Sequence, residues 1–129
     1  MTSRRAALKT LVLGALVACD SAVARLRGAQ LVPIARIDDV KPGSGLRTTH
    51  DETPLILVNA GGEVRTFLAV CTHQGCPLGW NAAQQLIRCP CHGSAFNTDG
   101  RVVNGPATAP LTRMETIAER GRVMLVVRS

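Results

Sequence analysis

The chain has 129 residues, a mass of 13.7 kDa and a formal charge of +6, with 46% hydrophobic and 19% charged residues. That is one domain of ordinary size, too apolar for a disordered chain and without the glycine triplets of collagen or the pattern of a coiled coil. No apolar run reaches the roughly 18–20 residues of a membrane-spanning helix. The aromatic residues, Phe67, Trp80 and Phe96, are too few for a nucleic-acid stacking platform, so no nucleic-acid partner is expected.

The first element reads as an export signal. Ser3-Arg4-Arg5-Ala6-Ala7-Leu8-Lys9 precedes a short apolar run, Leu11 to Ala18, which Cys19 and Asp20 end. A basic start, a short run and small residues make a secretory signal, and the run is too short to span a bilayer. The paired arginines resemble the twin-arginine signal of bacteria and depart from it at Ala7, where that pattern prefers Phe. Two endings compete for this signal, read as residues 1–24, and a third, retention as an uncleaved anchor, is opposed by Asp20 and Lys9. Ser21-Ala22-Val23-Ala24 offers cleavage after Ala24, whereas Leu16-Val17-Ala18-Cys19 resembles a lipoprotein box in which Cys19 is lipidated. The second ending, or a partner, would associate the protein with a membrane. Residues 25–30 read as a linker and 31–129 as the domain. Beyond the signal the basic residues are nearly all Arg and are spread out, which is the pattern of a solvated basic surface. No patch for an acidic redox partner or an anionic lipid is localised by the sequence.

After residue 30 no 3.6-residue apolar period is sustained, and apolar runs of four to seven residues alternate with turn residues. Leu31 to Ile37 is the first strand, followed by the turn cluster Pro42-Gly43-Ser44-Gly45. Pro54 to Asn59 and Val64 to Val70 flank Gly61-Gly62 and make the clearest hairpin. Leu86 to Cys89 is a short strand, Thr98-Asp99-Gly100 a turn, and Arg101 to Val103 a further strand segment. Residues 104–110 form a Pro-bearing loop. Leu111 to Ala118 and Val123 to Val127 are the last two strands, joined near Arg120-Gly121. The expected fold is all-β, with a loop-rich insertion between the hairpin and the C-terminal strands.

The chemistry lies in that insertion. Four of the five cysteines and two of the three histidines fall within 22 residues, as Cys71-Thr72-His73-Gln74-Gly75-Cys76 and Cys89-Pro90-Cys91-His92-Gly93-Ser94. Soft sulfur and borderline nitrogen donors presented from two turns are what a metal centre needs. A tetrahedral zinc site takes four ligands and leaves two of the six donors unassigned. A pure disulfide framework leaves the histidines unexplained, and Cys–His nucleophilic catalysis needs only one of each. A two-iron cluster with two Cys on one iron and two His on the other uses four donors. The remaining two cysteines are then free to pair in an exported protein.

The two groups resemble the Rieske iron–sulfur family, whose motifs are Cys-x-His-x-Gly-Cys and Cys-x-Cys-His-x-Ser. The resemblance covers residues 71–96 closely and implies a small Rieske-type antiparallel β-sandwich or barrel. A cluster-binding subdomain would be inserted between its strands, with cluster loops at 71–76 and 89–96. It implies a Rieske-type [2Fe-2S] cluster held by Cys71 and Cys89 on one iron and His73 and His92 on the other. It also implies a Cys76–Cys91 disulfide, which belongs to the high-potential branch, and a Ser94 hydroxyl donating to a cluster sulfur. Neutral imidazoles in place of thiolates make the cluster less negative, and such centres lie at about −150 to +300 mV. The family's histidines face solvent and couple a proton to the electron. Where high-potential members carry a donor Tyr this chain has Phe96, which implies a lower potential than in a Tyr-bearing relative. Gln74 departs from the apolar residue common in bc-type relatives. Gly105-Pro106-Ala107 resembles the Pro loop that covers the cluster. His50 lies outside both motifs and reads as an ordinary polar residue.

The resulting expectation is an exported, extracytoplasmic electron-transfer protein of a bacterium. It would pass single electrons between a donor, either a quinol or a partner oxidoreductase, and a cytochrome-like acceptor. This is a component of an oxidoreductase rather than a stand-alone enzyme, with no catalytic residue of its own. The alternatives are the Rieske subunit of a bc-type quinol–cytochrome c reductase, or a non-redox zinc or disulfide binding module.

Overall fold

The computed structural model describes residues 27–128. The signal reading of residues 1–24, the Cys19 lipidation reading and the first residues of the linker lie outside them. The chain divides into two units, Met1–Gln30 with Val127–Ser129 and Leu31–Val126. The second holds every element that bears on the metal-ligand motifs.

The strands are β1 (Ala29–Arg36), β2 (Gly45–His50), β3 (Thr53–Ala60), β4 (Glu63–Leu68), β5 (Gly79–Asn81), β6 (Leu86–Arg88), β7 (Ala95–Phe96), β8 (Val102–Asn104), β9 (Arg113–Met114), β10 (Thr116–Glu119) and β11 (Arg122–Arg128). A 3-10 turn, Ile37–Asp39, is the only helical element among the described residues. The strands make three sheets, ordered β1-β11-β10, β2-β3-β4-β9 and β5-β6-β7-β8. The third sheet is the insertion, sitting in sequence between β4 and β9. The all-β class and the inserted subdomain therefore stand as the sequence implies.

β3 is the centre of the second sheet, and its run Leu55 to Val58 is fully buried. Successive strand residues point to opposite faces, so this unbroken apolar run needs cover on both sides. Ile56 and Val58 join a core with Phe67, Ala69, Leu78, Ile87, Phe96, Ala107 and Leu111, and Cys71 and Cys89 are part of that same core. Val40, Val123 and Leu125 are buried outside it. The hairpin closes as read from sequence, Ala60 opposite Glu63, with Asn59 tying it down. Its amide nitrogen donates to the Val40 carbonyl at 2.7 Å, and its carbonyl oxygen accepts from Gly62 N–H at 2.9 Å.

Four differences from the sequence reading appear, and strand pairing is the physical cause of the first three. The apolar stretch 111–118 is two strands, because the chain changes sheets at Glu115. β9 pairs with β4 (Thr66 opposite Met114), whereas β10 pairs with β11 (Thr116 opposite Leu125). β2 was not expected, because Gly-Leu-Arg-Thr-Thr-His has little apolar content. It forms by pairing along β3 from Gly45–Val58 to His50–Thr53. β5 and β7 have three and two residues, and pairing rather than periodicity defines them. β1 begins at Ala29, inside the segment read as linker.

Candidate metal centre

The two motifs fold into matching loops, one before β5 and one between β6 and β7. Cys71 N–H donates to the Cys76 carbonyl (2.8 Å), and Gly75 N–H donates back to the Cys71 carbonyl (2.9 Å). Cys89 N–H donates to the Ser94 carbonyl (2.8 Å), and Gly93 N–H to the Cys89 carbonyl (3.1 Å). Gly75 and Gly93 have φ of +73° and +81°, the left-handed region that a residue with a Cβ enters only at a cost. The loops therefore superpose by position: Cys71 on Cys89, Gly75 on Gly93, and Cys76 on Ser94.

Each loop begins with a buried thiol. Cys71 is 3% and Cys89 2% exposed, and neither is in a disulfide. Cys76 and Cys91 are joined in a disulfide with a Cα–Cα distance of 6.4 Å, which ties the loops to each other. The Cys89 sulfur lies within 4.8 Å of both disulfide sulfurs. Burial pushes the Cys71 thiol up. Hydrogen bonds from the His73 backbone, the Cys89 side chain, the Gln74 backbone and the Ser94 hydroxyl outweigh it and hold Cys71 below the ordinary thiol range. This is a pocket built for sulfur carrying negative charge, as a metal-bound thiolate does.

Ser94 is fully buried and links two partners. Its oxygen accepts from Ala107 N–H at 3.0 Å, which leaves the hydroxyl proton for the Cys71 sulfur. Ala107 belongs to the Pro loop, which two further bonds fasten: Thr72 Oγ1 to the Ala109 carbonyl (2.7 Å) and Asn104 Nδ2 to the Gly93 carbonyl (3.3 Å). The sequence reading assigned the Pro loop its covering place but missed Thr72 and Asn104. Their signal is weak: Thr72 is the free second position of the first motif and Asn104 the last residue of β8, and each has its partner at least 11 positions away.

His73 and His92 are both exposed, with ring centroids 5.2 Å apart and planes at 87°. The structure thus brings Cys71, Cys89 and Ser94 together in the interior, Cys76 and Cys91 in a disulfide, and the His73 and His92 rings against each other at the surface, whereas Cys19 lies outside the described residues. Gln74 is exposed beside His73. Phe96 is fully buried in the core that contains Cys71 and Cys89. His50 stands at the end of β2, 3.3 Å from the Asp51 carboxylate, and belongs to neither loop.

With Cys76 and Cys91 paired, four donors remain, two sulfurs and two nitrogens. No Asp or Glu occurs from residue 64 to residue 98. On donor count alone this set suits tetrahedral zinc or a mixed-ligand two-iron cluster, and carboxylate-rich metal sites are excluded.

Comparison with known proteins decides between them. The Rieske [2Fe-2S] domain family matches residues 30–117. A "Cytochrome b6-f complex iron-sulfur subunit" of Chlorobaculum tepidum is 35% identical over 89 residues, 69% of this chain and 49% of that one. The chain spans about half or less of the length of the first such relatives it matches. The cyanobacterial plasma membrane Rieske protein PetC3 from Synechocystis PCC 6803 matches with TM-score 0.66 and 28% identity, over 73% of this chain and 97% of that one. The ferredoxin of carbazole 1,9a-dioxygenase from Nocardioides aromaticivorans matches with TM-score 0.63 over 78% of this chain and 99% of that one. At 22% identity it shares the fold.

Proposed function

The chain belongs to the Rieske [2Fe-2S] family, and from that premise we propose that it is an exported electron-transfer protein whose exposed histidine pair is the face its redox partner meets. Its cofactor is a Rieske [2Fe-2S] cluster, which supplies a one-electron centre when bound. In this reading Cys71 and Cys89 would hold one iron and His73 and His92 the other. The observation that carries it is the division of the donor set, buried thiols below and two adjacent exposed imidazoles above.

The chain's own groups have separate tasks here. Hydrogen bonds to the Cys71 sulfur stabilise negative charge on it, which favours the reduced state. The Pro loop, held by Thr72, Ser94 and Asn104, would cover the cluster and keep water from it. The imidazoles give a donor or acceptor its closest approach, and a hydroxyl-bearing donor such as a quinol can hydrogen-bond there. The Cys76–Cys91 disulfide supports an oxidising compartment outside the cytoplasm. The N-terminal motif agrees with it, with the signal cleaved after Ala24 or lipidated at Cys19. Mass spectrometry of the mature N-terminus separates those two endings.

A second reading, the iron–sulfur subunit of a b6-f or bc-type complex, is favoured by the name of the Chlorobaculum tepidum relative. An EPR-monitored redox titration across pH tests the first step of both. A rhombic signal with mean g near 1.9 and a potential above roughly +100 mV, falling at high pH, supports quinol or other high-potential chemistry. A potential near or below about −100 mV overturns the quinol donor. Copurification with a cytochrome b selects the second reading over the first.

A further inference from the structure

We propose that the groove bounded by Pro77, Trp80 and Pro90, with Arg47 and Arg88 on its rim, docks an acidic redox protein through an apolar side chain flanked by carboxylates. The groove has a volume of about 440 Å³ and a floor of apolar residues, Leu78 among them. It lies beside the metal centre: Pro77 follows Cys76, and Pro90 stands between Cys89 and Cys91. Its wall is built to shape. Gly45 of β2 comes so close to Trp80 that a Cβ there would stand 2.5 Å from the ring, so the missing side chain allows the indole to pack on β2.

Charge selects the partner. Arg65 and Arg113 elsewhere in the domain are paired with Glu63 or Asp99. The two rim arginines have no carboxylate among the described residues. Arg88 bonds the neutral Gln84 at 2.6 Å, and Arg47 is exposed. The acids nearest Arg47 in sequence, Asp51 and Glu52, sit at the β2–β3 turn beyond the end of its strand, and the 64–98 segment has none. Two uncompensated guanidinium groups over a Trp- and Pro-lined cleft match a protein knob with adjacent carboxylates. A membrane surface would call for a broader cationic field than two residues give.

The identity of the partner rests on the electron-transfer reading, but binding at the groove does not pass through the cluster. Trp80 is the only tryptophan, so its emission reports on the groove directly. The full chain as purified is titrated with a Glu-rich peptide carrying one Leu, with its Lys counterpart, and with anionic and neutral lipid vesicles. The expected result is saturable change with the Glu peptide alone. It should weaken about tenfold or more in R47E/R88E, and in the size-conserving R47Q/R88Q, and fall with salt. An equal response to the Lys peptide, unchanged binding in both variants, or a response to anionic vesicles in place of the peptide overturns the proposal. The cluster's EPR signal is recorded on the same samples. Its absence with peptide binding intact counts against the electron-transfer reading and leaves the groove standing.

Discussion

Loops 71–76 and 89–94 share one backbone and use it differently. In both, the first cysteine is buried, its N–H reaches five residues ahead, and a left-handed glycine closes the turn. The first loop places its histidine third and its second cysteine sixth. The second places a cysteine third, its histidine fourth and a serine sixth. The one-residue offset between His73 and His92 lets Cys91 reach back to Cys76. The sixth position is a covalent tie in one loop and, in the other, a buried hydroxyl joining the Pro loop to Cys71. The turn sets where the thiol goes. The remaining positions divide between ligand, crosslink and fastening.

That comparison can be broken at its equivalent positions first. Cys71→Ser and Cys89→Ser should each abolish the EPR signal and the acid-labile sulfide, whichever loop carries the change. Stoichiometric iron in either variant would disprove the equivalence.

The sixth positions should then differ in kind. Removing the tie with Cys76→Ala/Cys91→Ala frees a 15-residue separation and should lower stability by about 3 kcal/mol in chemical denaturation. A loss under about 1 kcal/mol would mean that the Pro loop alone holds the two loops together. Ser94→Ala should act on the potential. A hydrogen bond to a charged group contributes about 1.5–3 kcal/mol, and a tenfold change is about 59 mV for one electron, so the midpoint should drop by at most about 65–130 mV. The direction follows from the donor's greater value to the more negative reduced state. An unchanged midpoint would reduce Ser94 to a fastener of Ala107.

The smallest effect belongs to the outer fastening. Thr72→Val removes the bond to the Ala109 carbonyl and should cost about 1 kcal/mol, with little change in potential. A midpoint shift as large as that of Ser94→Ala would show that the Pro loop's position itself tunes the centre.

Much of this was legible because it is local. The hairpin around Gly61-Gly62 and the strands near 54–59 and 86–89 follow from runs of β-forming residues and turn glycines. The ligand types and their grouping follow from two six-residue motifs. The less legible parts depend on remote partners. β2 exists through its pairing with β3. The single run 111–118 serves two sheets because β4 and β11 each claim half of it. Thr72 and Asn104 look like ordinary polar residues until the Pro loop and the second cluster loop are brought together.

By itself the sequence determined the all-β class, the two cysteine–histidine motifs and the residues able to make each turn, since these depend on neighbours a few bonds away. Only the tertiary structure decided that the thiols are buried, that Ser94 bridges Ala107 and Cys71, and that Arg47 and Arg88 line one groove. Those outcomes depend on which distant segments pack together. Packing follows the burial of the whole apolar core rather than the pattern of any one segment.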